Sequence, residues 1–172
     1  MHNTAYIALG SNLPFDGIES PRLLARAVFA LQAVGLQLRS SSGIWRTAAW
    51  PPSDQPDYYN AVIAVDAGER TPQALYEVLR EIETRYGRER REKWAARTLD
   101  LDIVAMDRFV GTFGEITLPH SRLDKRAFVL APLAEAAPEW RHPILNSSAG
   151  GLLACLPPSR YQRVDDLRPE GG

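Results

Sequence analysis

Arg97-Thr98-Leu99-Asp100-Leu101-Asp102-Ile103 alternates carboxylates with apolar residues. Successive side chains of a β-strand point to opposite faces, so Asp100 and Asp102 share one face and Leu99, Leu101 and Ile103 the other. The apolar three can enter a core. Two neighbouring acids on one face repel each other unless a cation lies between them. Magnesium takes such oxygens together with phosphate oxygens of a substrate, and the arginines that precede the strand suit a phosphate. The competing reading is a half-exposed strand whose charged face is simply solvated.

Outward from this strand the pattern repeats. Tyr6 to Leu9 reads as a strand ended by Gly10-Ser11-Asn12. Ser20-Pro21 starts a helix with a capping hydroxyl and a proline at the first helical position. Leu24, Ala27, Val28 and Leu31 follow at helical spacing, and Gly35 stops it. Leu36 to Arg46 reads as a second strand, Thr47 to Asp57 as a proline-rich loop, and Tyr58 to Val65 as a third strand. Thr71-Pro72 opens a second helix with Leu75, Val78, Leu79, Ile82 and Tyr86 on one face, ended by Gly87. Thr98 to Ala105 is the fourth strand.

The order βαββαβ predicts an α+β, ferredoxin-like core, an antiparallel sheet with two helices on one face, followed by a C-terminal extension. Beyond it, Phe109 to Leu118 reads as a hairpin. Arg126 to Ala136 reads as a helix interrupted by Pro132, and Ser148 to Leu156 as a short last helix. From Pro157 the proline and charge content predicts a loosely ordered tail. No linker divides the chain, so residues 1–172 are expected to form one domain.

Composition narrows the function classes. The chain has 172 residues with 45% hydrophobic and 24% charged content, enough for a real core. A net charge of −1 gives no general attraction to nucleic acid or to an anionic membrane. Cys155 is the only cysteine, which excludes an intrachain disulfide, and it reads as an ordinary buried residue. No apolar run is long enough to span a bilayer. Met1 to Ala8 lacks the basic-then-apolar pattern of a signal peptide, so a cytoplasmic protein is expected.

Several groups can carry chemistry. Arg88, Arg90, Arg91, Lys93 and Arg97 form a basic cluster that could fork onto phosphates or equally form a solvated loop. Trp94 sits among them, either to cover a ligand or to pin the loop. Tyr58 and Asn60 share one strand face. A tyrosine ring can stack on a flat heterocycle and an amide can pair with its donor–acceptor edge, but core-edge tyrosines and loop-tying asparagines are common too. Phe128, His120 and His142 have structural readings beside functional ones. Gly10-Ser11-Asn12 could cradle an anion or form an ordinary turn. No G-x-x-x-x-G-K-[ST] loop is present, so a standard P-loop site is excluded. A sheet with exposed aromatics and a basic loop can also bind single-stranded RNA. The net charge and the carboxylate pair argue against that use.

The run Lys93-Trp94-Ala95-Ala96-Arg97-Thr98-Leu99-Asp100-Leu101-Asp102-Ile103-Val104 resembles, throughout, the signature of the 6-hydroxymethyl-7,8-dihydropterin pyrophosphokinase family of folate biosynthesis. Ala8-Leu9-Gly10-Ser11-Asn12-Leu13, Gln55-Pro56-Asp57-Tyr58-Tyr59-Asn60-Ala61, Leu118-Pro119-His120 and Arg126-Ala127-Phe128-Val129-Leu130-Ala131-Pro132-Leu133 support it in the family's order. The resemblance covers Ala5 to about Pro143 and implies the ferredoxin-like fold.

It also implies a reaction: pyrophosphate moves from ATP to the hydroxymethyl group of the dihydropterin, and AMP leaves. Asp100 and Asp102 would hold two magnesium ions. Tyr58 and Phe128 would sandwich the pterin, Asn60 would read its edge, and the loop from Thr47 to Pro52 would offer it backbone groups. Arg88, Arg90, Trp94 and Arg97 would close over ATP, with Arg88 and Arg97 catalytic beside the two aspartates. His120 and Arg126 would contact the nucleotide or its phosphates, and Glu83 would stand at the nucleotide rim of the site. The expected partners are ATP and the pterin, with no nucleic acid or membrane, and the expected state is a monomer.

Overall fold

The computed structural model describes residues 3–48, 56–87 and 98–171. The chain runs β1 (Thr4–Ser11), α1 (Ser20–Ala33), β2 (Gln37–Ser41), β3 (Ile44–Thr47), β4 (Tyr58–Asp66), α2 (Pro72–Arg85) and β5 (Asp100–Met106). A hairpin of β6 (Gly111–Phe113) and β7 (Ile116–Leu118) follows, then α3 (Ala127–Ala136), α4 (Ala149–Ala154) and β8 (Tyr161–Asp165). The expected βαββαβ order is present, with the second strand divided. Its two pieces, β2 and β3, both pair antiparallel with β4. Ser42 marks the break: its N–H donates to the Val62 carbonyl and its hydroxyl accepts from the Val62 N–H, both at 2.9 Å. A side chain thus completes the ladder where the backbone bends away.

The sheet order is β5-β1-β4-β3-β8, with β2 beside β4 as the sixth strand. Side-chain alternation divides its residues between two layers. Ile7, Leu9, Ile63, Leu101 and Ile103 face α1 and α2, where Leu24, Leu31, Leu75, Leu79 and Ile82 meet them. Tyr6, Val62, Ala64 and Val104 face α3 and α4, against Leu130, Leu133, Trp140 and Leu152. Both faces of β4 are therefore covered, which is why its sequence is apolar almost without interruption.

The helix boundaries follow local chemistry. Thr71 caps α2 by accepting from the Ala74 N–H at 3.2 Å. Gly35 and Gly87 end α1 and α2 with φ of +92° and +85°, a conformation that favours glycine. Ser20 is not the cap of α1; that position is Glu19, with no side-chain bond. The Ser20 hydroxyl instead receives the Ser11 hydroxyl at 2.9 Å, joining the end of β1 to α1.

Three expectations are corrected. α3 runs through Pro132 without interruption. An interior proline costs about 3 kcal/mol, but burying Val129, Leu130 and Leu133 contributes about 1.5–3 kcal/mol each. The segment after Pro157 is not loosely ordered along its length, because β8 pairs with β3 and covers what would otherwise be an open edge. Cys155 is exposed rather than buried, since α4 buries only Ala149 and Leu152. Among the described residues, no helix is long and apolar enough to cross a membrane.

Candidate active site

Alternation along β5 places Leu99, Leu101 and Ile103 in the core and leaves Asp100 and Asp102 half-buried on the opposite face. The register continues across the sheet. Gly10 of β1 pairs with Asp100 on one side and with Asn60 on the other. A Cβ on Gly10 would stand 3.2 Å from the Asn60 Oδ1, so the absent side chain gives that amide its room. One row earlier, Ala8 lies between Asp102 and Val62. Two small residues therefore floor a depression with a carboxylate edge and an amide edge.

The walls come from the chain after β7. The His120 N–H donates to the Val104 carbonyl at 2.7 Å, which ties this loop to β5 beside the irregular register of Val104 and Ala105. Arg126 precedes α3, and Phe128 projects from its first turn. The result is a depression open to solvent, bounded by Asn60, Asp100, Asp102, His120, Arg126 and Phe128 over the floor of Ala8 and Gly10. Phe128 is 39% exposed on a helix whose other large apolar side chains are buried, which removes the core reading for it. The Arg126 guanidinium lies 5.7 Å from its ring centroid.

His120 has a defined hydrogen-bonding state. Its Nδ1 accepts from the Arg122 N–H at 3.2 Å, so the neutral ring carries its proton on Nε2. Burial, with Arg126 and Arg122 nearby, holds its pKa below the usual histidine value against an opposing pull from Asp100. The cavity thus presents a neutral donor and a guanidinium opposite two carboxylates.

The other expected residues are placed as follows. Asn60 is buried and its Nδ2 donates to the Thr47 hydroxyl at 3.2 Å. Thr47 pairs with Tyr58 in the β3–β4 ladder; both stand outside the lining of the cavity, one pleat beyond Asn60. Glu83 is fully enclosed and does not line the cavity. Its Oε2 accepts from the Leu101 N–H at 3.1 Å and its Oε1 from the Arg80 guanidinium. Arg88, Arg90, Trp94 and Arg97 lie outside the described residues. Gly10 and Ser11 are strand and not the expected turn, since β1 runs through Ser11, and the next side chain serves the fold: the Asn12 Nδ2 donates to the Pro56 carbonyl at 3.3 Å, anchoring the approach to β4. His142 serves a turn, with Nδ1 accepting from Ile144 and Leu145.

Sequence reasoning found Ala8 and Gly10 only as part of a family-like stretch, and Gly10 as a candidate anion cradle; register shows them instead as a floor beside Asn60 and the aspartates. One feature escaped it altogether. Glu135 is one acid on an apolar helix, and its partners lie about 90 and 28 residues away in sequence.

The aspartate pair fits magnesium and not an all-protein metal cage. Among the described residues no three histidine, cysteine or acidic groups converge on one point. Two carboxylates facing an open cavity match a cation that keeps water and phosphate oxygens in its remaining positions.

Comparison with known proteins identifies the family. The family model for 7,8-dihydro-6-hydroxymethylpterin-pyrophosphokinase matches residues 6–138. The chain is 38% identical over 162 residues to the 2-amino-4-hydroxy-6-hydroxymethyldihydropteridine pyrophosphokinase of Methylorubrum extorquens, covering 94% of this chain and 98% of that one. It is also 38% identical over 134 residues to the enzyme of the same name from Haemophilus influenzae, covering 78% and 81%. In fold it resembles Plasmodium falciparum HPPK-DHPS, with a TM-score of 0.66 at 13% identity, over 90% of this chain and 44% of that longer one. With a signature strand whose two aspartates edge the cavity, and a family match over most of its length, the chain belongs to the 7,8-dihydro-6-hydroxymethylpterin-pyrophosphokinase family.

Proposed function

We propose that this pyrophosphokinase of folate biosynthesis uses ATP and magnesium, and that both substrates meet in the cavity between β5 and α3. The acceptor is the hydroxymethyl group of the dihydropterin. The observation that carries the reading is the row Asn60–Gly10–Asp100, which sets an amide and a carboxylate on either side of a glycine floor.

Phe128 and Tyr58 hold the pterin ring and Asn60 pairs with its edge, while Thr47 fixes the Asn60 amide. Asp100 and Asp102 would hold two magnesium ions, which supply neutralisation of polyphosphate charge. Arg126 and the Nε2–H of His120 then receive phosphate oxygens, and Arg88, Arg90, Trp94 and Arg97 complete the nucleotide end. The hydroxymethyl oxygen attacks the β-phosphorus in line. The bond from that phosphorus to the α–β bridging oxygen breaks, AMP leaves with the bridging oxygen, and the hydroxyl proton goes to solvent. Positioning and charge stabilisation carry the catalysis. Glu83 acts on the nucleotide end from outside the cavity, by holding the β5 backbone at Leu101. Residues 1–172 work as one domain, in this reading a monomer in the cytoplasm.

The direct test is incubation with ATP, magnesium and the reduced pterin, followed by nucleotide analysis. AMP is expected, in step with pterin diphosphate. Formation of ADP, or no product with folded protein, would overturn the reading.

A further inference from the structure

A polar joint lies outside the cavity, at the far end of α3. Glu135 accepts three hydrogen bonds from two separate segments, the start of β3 and β8. Its Oε1 takes the Gly43 N–H and the Trp45 Nε1–H, each at 2.9 Å, and its Oε2 takes the Arg163 Nε–H at 2.8 Å. Burial pushes the Glu135 carboxyl up, but the bonds from Arg163, Gly43 and Trp45 outweigh it and hold the group below the usual carboxylate range.

The C-terminal strand is fitted to this joint. A Cβ on Gly43 would come within 2.5 Å of both the Arg163 guanidinium and the Asp165 carbonyl oxygen, so glycine is what admits β8. The Tyr161 ring of β8 packs 5.8 Å from the Trp45 ring. Arg163 also bonds Asp166 at 2.8 Å, which fixes the guanidinium that reaches Glu135.

The fold connects this joint to the cavity. Trp45 pairs with Asn60 in the β3–β4 ladder, so the two side chains share a face of the sheet. Phe128 and Glu135 are seven residues apart on α3, two turns on one face of the helix. One carboxylate therefore bolts the helix that bears Phe128 to the strands that bear Asn60 and Tyr58.

We propose that Glu135 is a positioning residue for the pterin: through Trp45 and Arg163 it sets the spacing between Phe128 and Asn60, with β8 as a built part of that support. The inference rests on the assignment of the pterin to this cavity.

Full-length Glu135→Ala and Gly43→Ala variants test it, with KM for pterin and for ATP measured separately. Glu135→Ala is expected to raise the pterin KM about tenfold, because small misplacements of binding groups are costly. The ATP KM should change much less, since Asp100, Asp102 and His120 are held by β5 and not by α3. Gly43→Ala, which displaces β8, should move the pterin KM in the same direction. A fall in melting temperature with an unchanged pterin KM would make the joint purely structural and overturn the proposal. Where Glu135→Ala does not fold, Trp45→Phe removes the indole donor while keeping an aromatic ring against Tyr161 and carries the same test: a raised pterin KM supports the proposal and an unchanged one overturns it. Phe128→Ala is the control. If it weakens pterin binding while the joint variants do not, the proposal alone fails. If it too has no effect, the assignment of the pterin falls with it.

Discussion

The Glu83 carboxylate accepts the Leu101 backbone N–H at 3.1 Å, although 18 residues separate them in sequence. β5 is the edge strand of the sheet, so its outward N–H groups need partners from elsewhere. Leu101 lies between Asp100 and Asp102, and a bond at that point holds both carboxylates at a fixed height over the floor. Arg80 secures the other oxygen of Glu83, with its guanidinium 4.4 Å from the Tyr76 ring centroid.

Glu83→Ala leaves a buried N–H without its acceptor and Arg80 without its carboxylate. A loss of about 2–3 kcal/mol in unfolding free energy is expected from the unsatisfied groups, read by urea denaturation. Glu83→Gln keeps an oxygen for Leu101 and should lose less. Equal stability of Glu83→Ala and the parent would mean that the β5 edge is satisfied another way.

Asp100→Asn and Asp102→Asn preserve side-chain shape and remove charge. Leu99, Leu101 and Ile103 remain in the core on the opposite face, so cooperative thermal unfolding should persist. Turnover should fall by at least about a hundredfold, the scale on which charge stabilisation contributes to catalysis. Isothermal titration should show weaker magnesium binding in the presence of a non-hydrolysable ATP analogue. A folded variant that releases AMP at close to the parent rate would remove the aspartates from the mechanism.

The aspartate strand, the two helices and the strand order were legible because each is written in local alternation or helical periodicity, and for α2 in the Thr71 cap. The walls of the site were legible only as separate residues. Nothing local in Phe128 or His120 distinguishes a ligand from a core side chain; exposure on α3 and a backbone tie to Val104 do so once the fold exists. The tail was misread because β8 owes its order to distant partners. Its sequence from Tyr161 to Asp165 is largely polar and exposed, and what holds it is a glycine at 43 and a carboxylate at 135. Pro132 misled for the opposite reason, since packing on both sides of α3 overrides one lost backbone bond.

Stability should depend on half-buried His120 and buried His142 in a defined sense. Burial holds the pKa of His120 and of His142 below the usual value. The unfolded chain, with histidines near about 6.5, then binds more protons than the native state. Stability is therefore full above that value and is lost as pH falls through about 6.5 toward the lower native pKa values. Replacing each histidine by asparagine keeps an acceptor in place of Nδ1 for the Arg122, Ile144 and Leu145 N–H groups and removes the titration. Urea unfolding of the double variant at about pH 7.5 and about pH 5.5 should show a smaller difference than the parent. An unchanged difference would assign the pH dependence to carboxylates such as Glu135, whose depressed pKa acts in the same direction at lower pH.

Phe128 offers the cleanest separation of binding from folding. Its ring is 39% exposed in the cavity wall, so truncation removes little core packing. Stacking of an aromatic ring on a flat heterocycle is worth about 1–3 kcal/mol by alanine substitution. Phe128→Ala should weaken pterin affinity by that amount, about five- to 150-fold, with a much smaller effect on ATP. Arg126, which now lies over the ring, stays in place for the phosphates. Fluorescence titration with the pterin, beside calorimetry with the ATP analogue, separates the two. Loss of ATP affinity of the same size would mean that Phe128 organises Arg126 and not the pterin, and the pterin would then have to be placed elsewhere along the Asn60 edge.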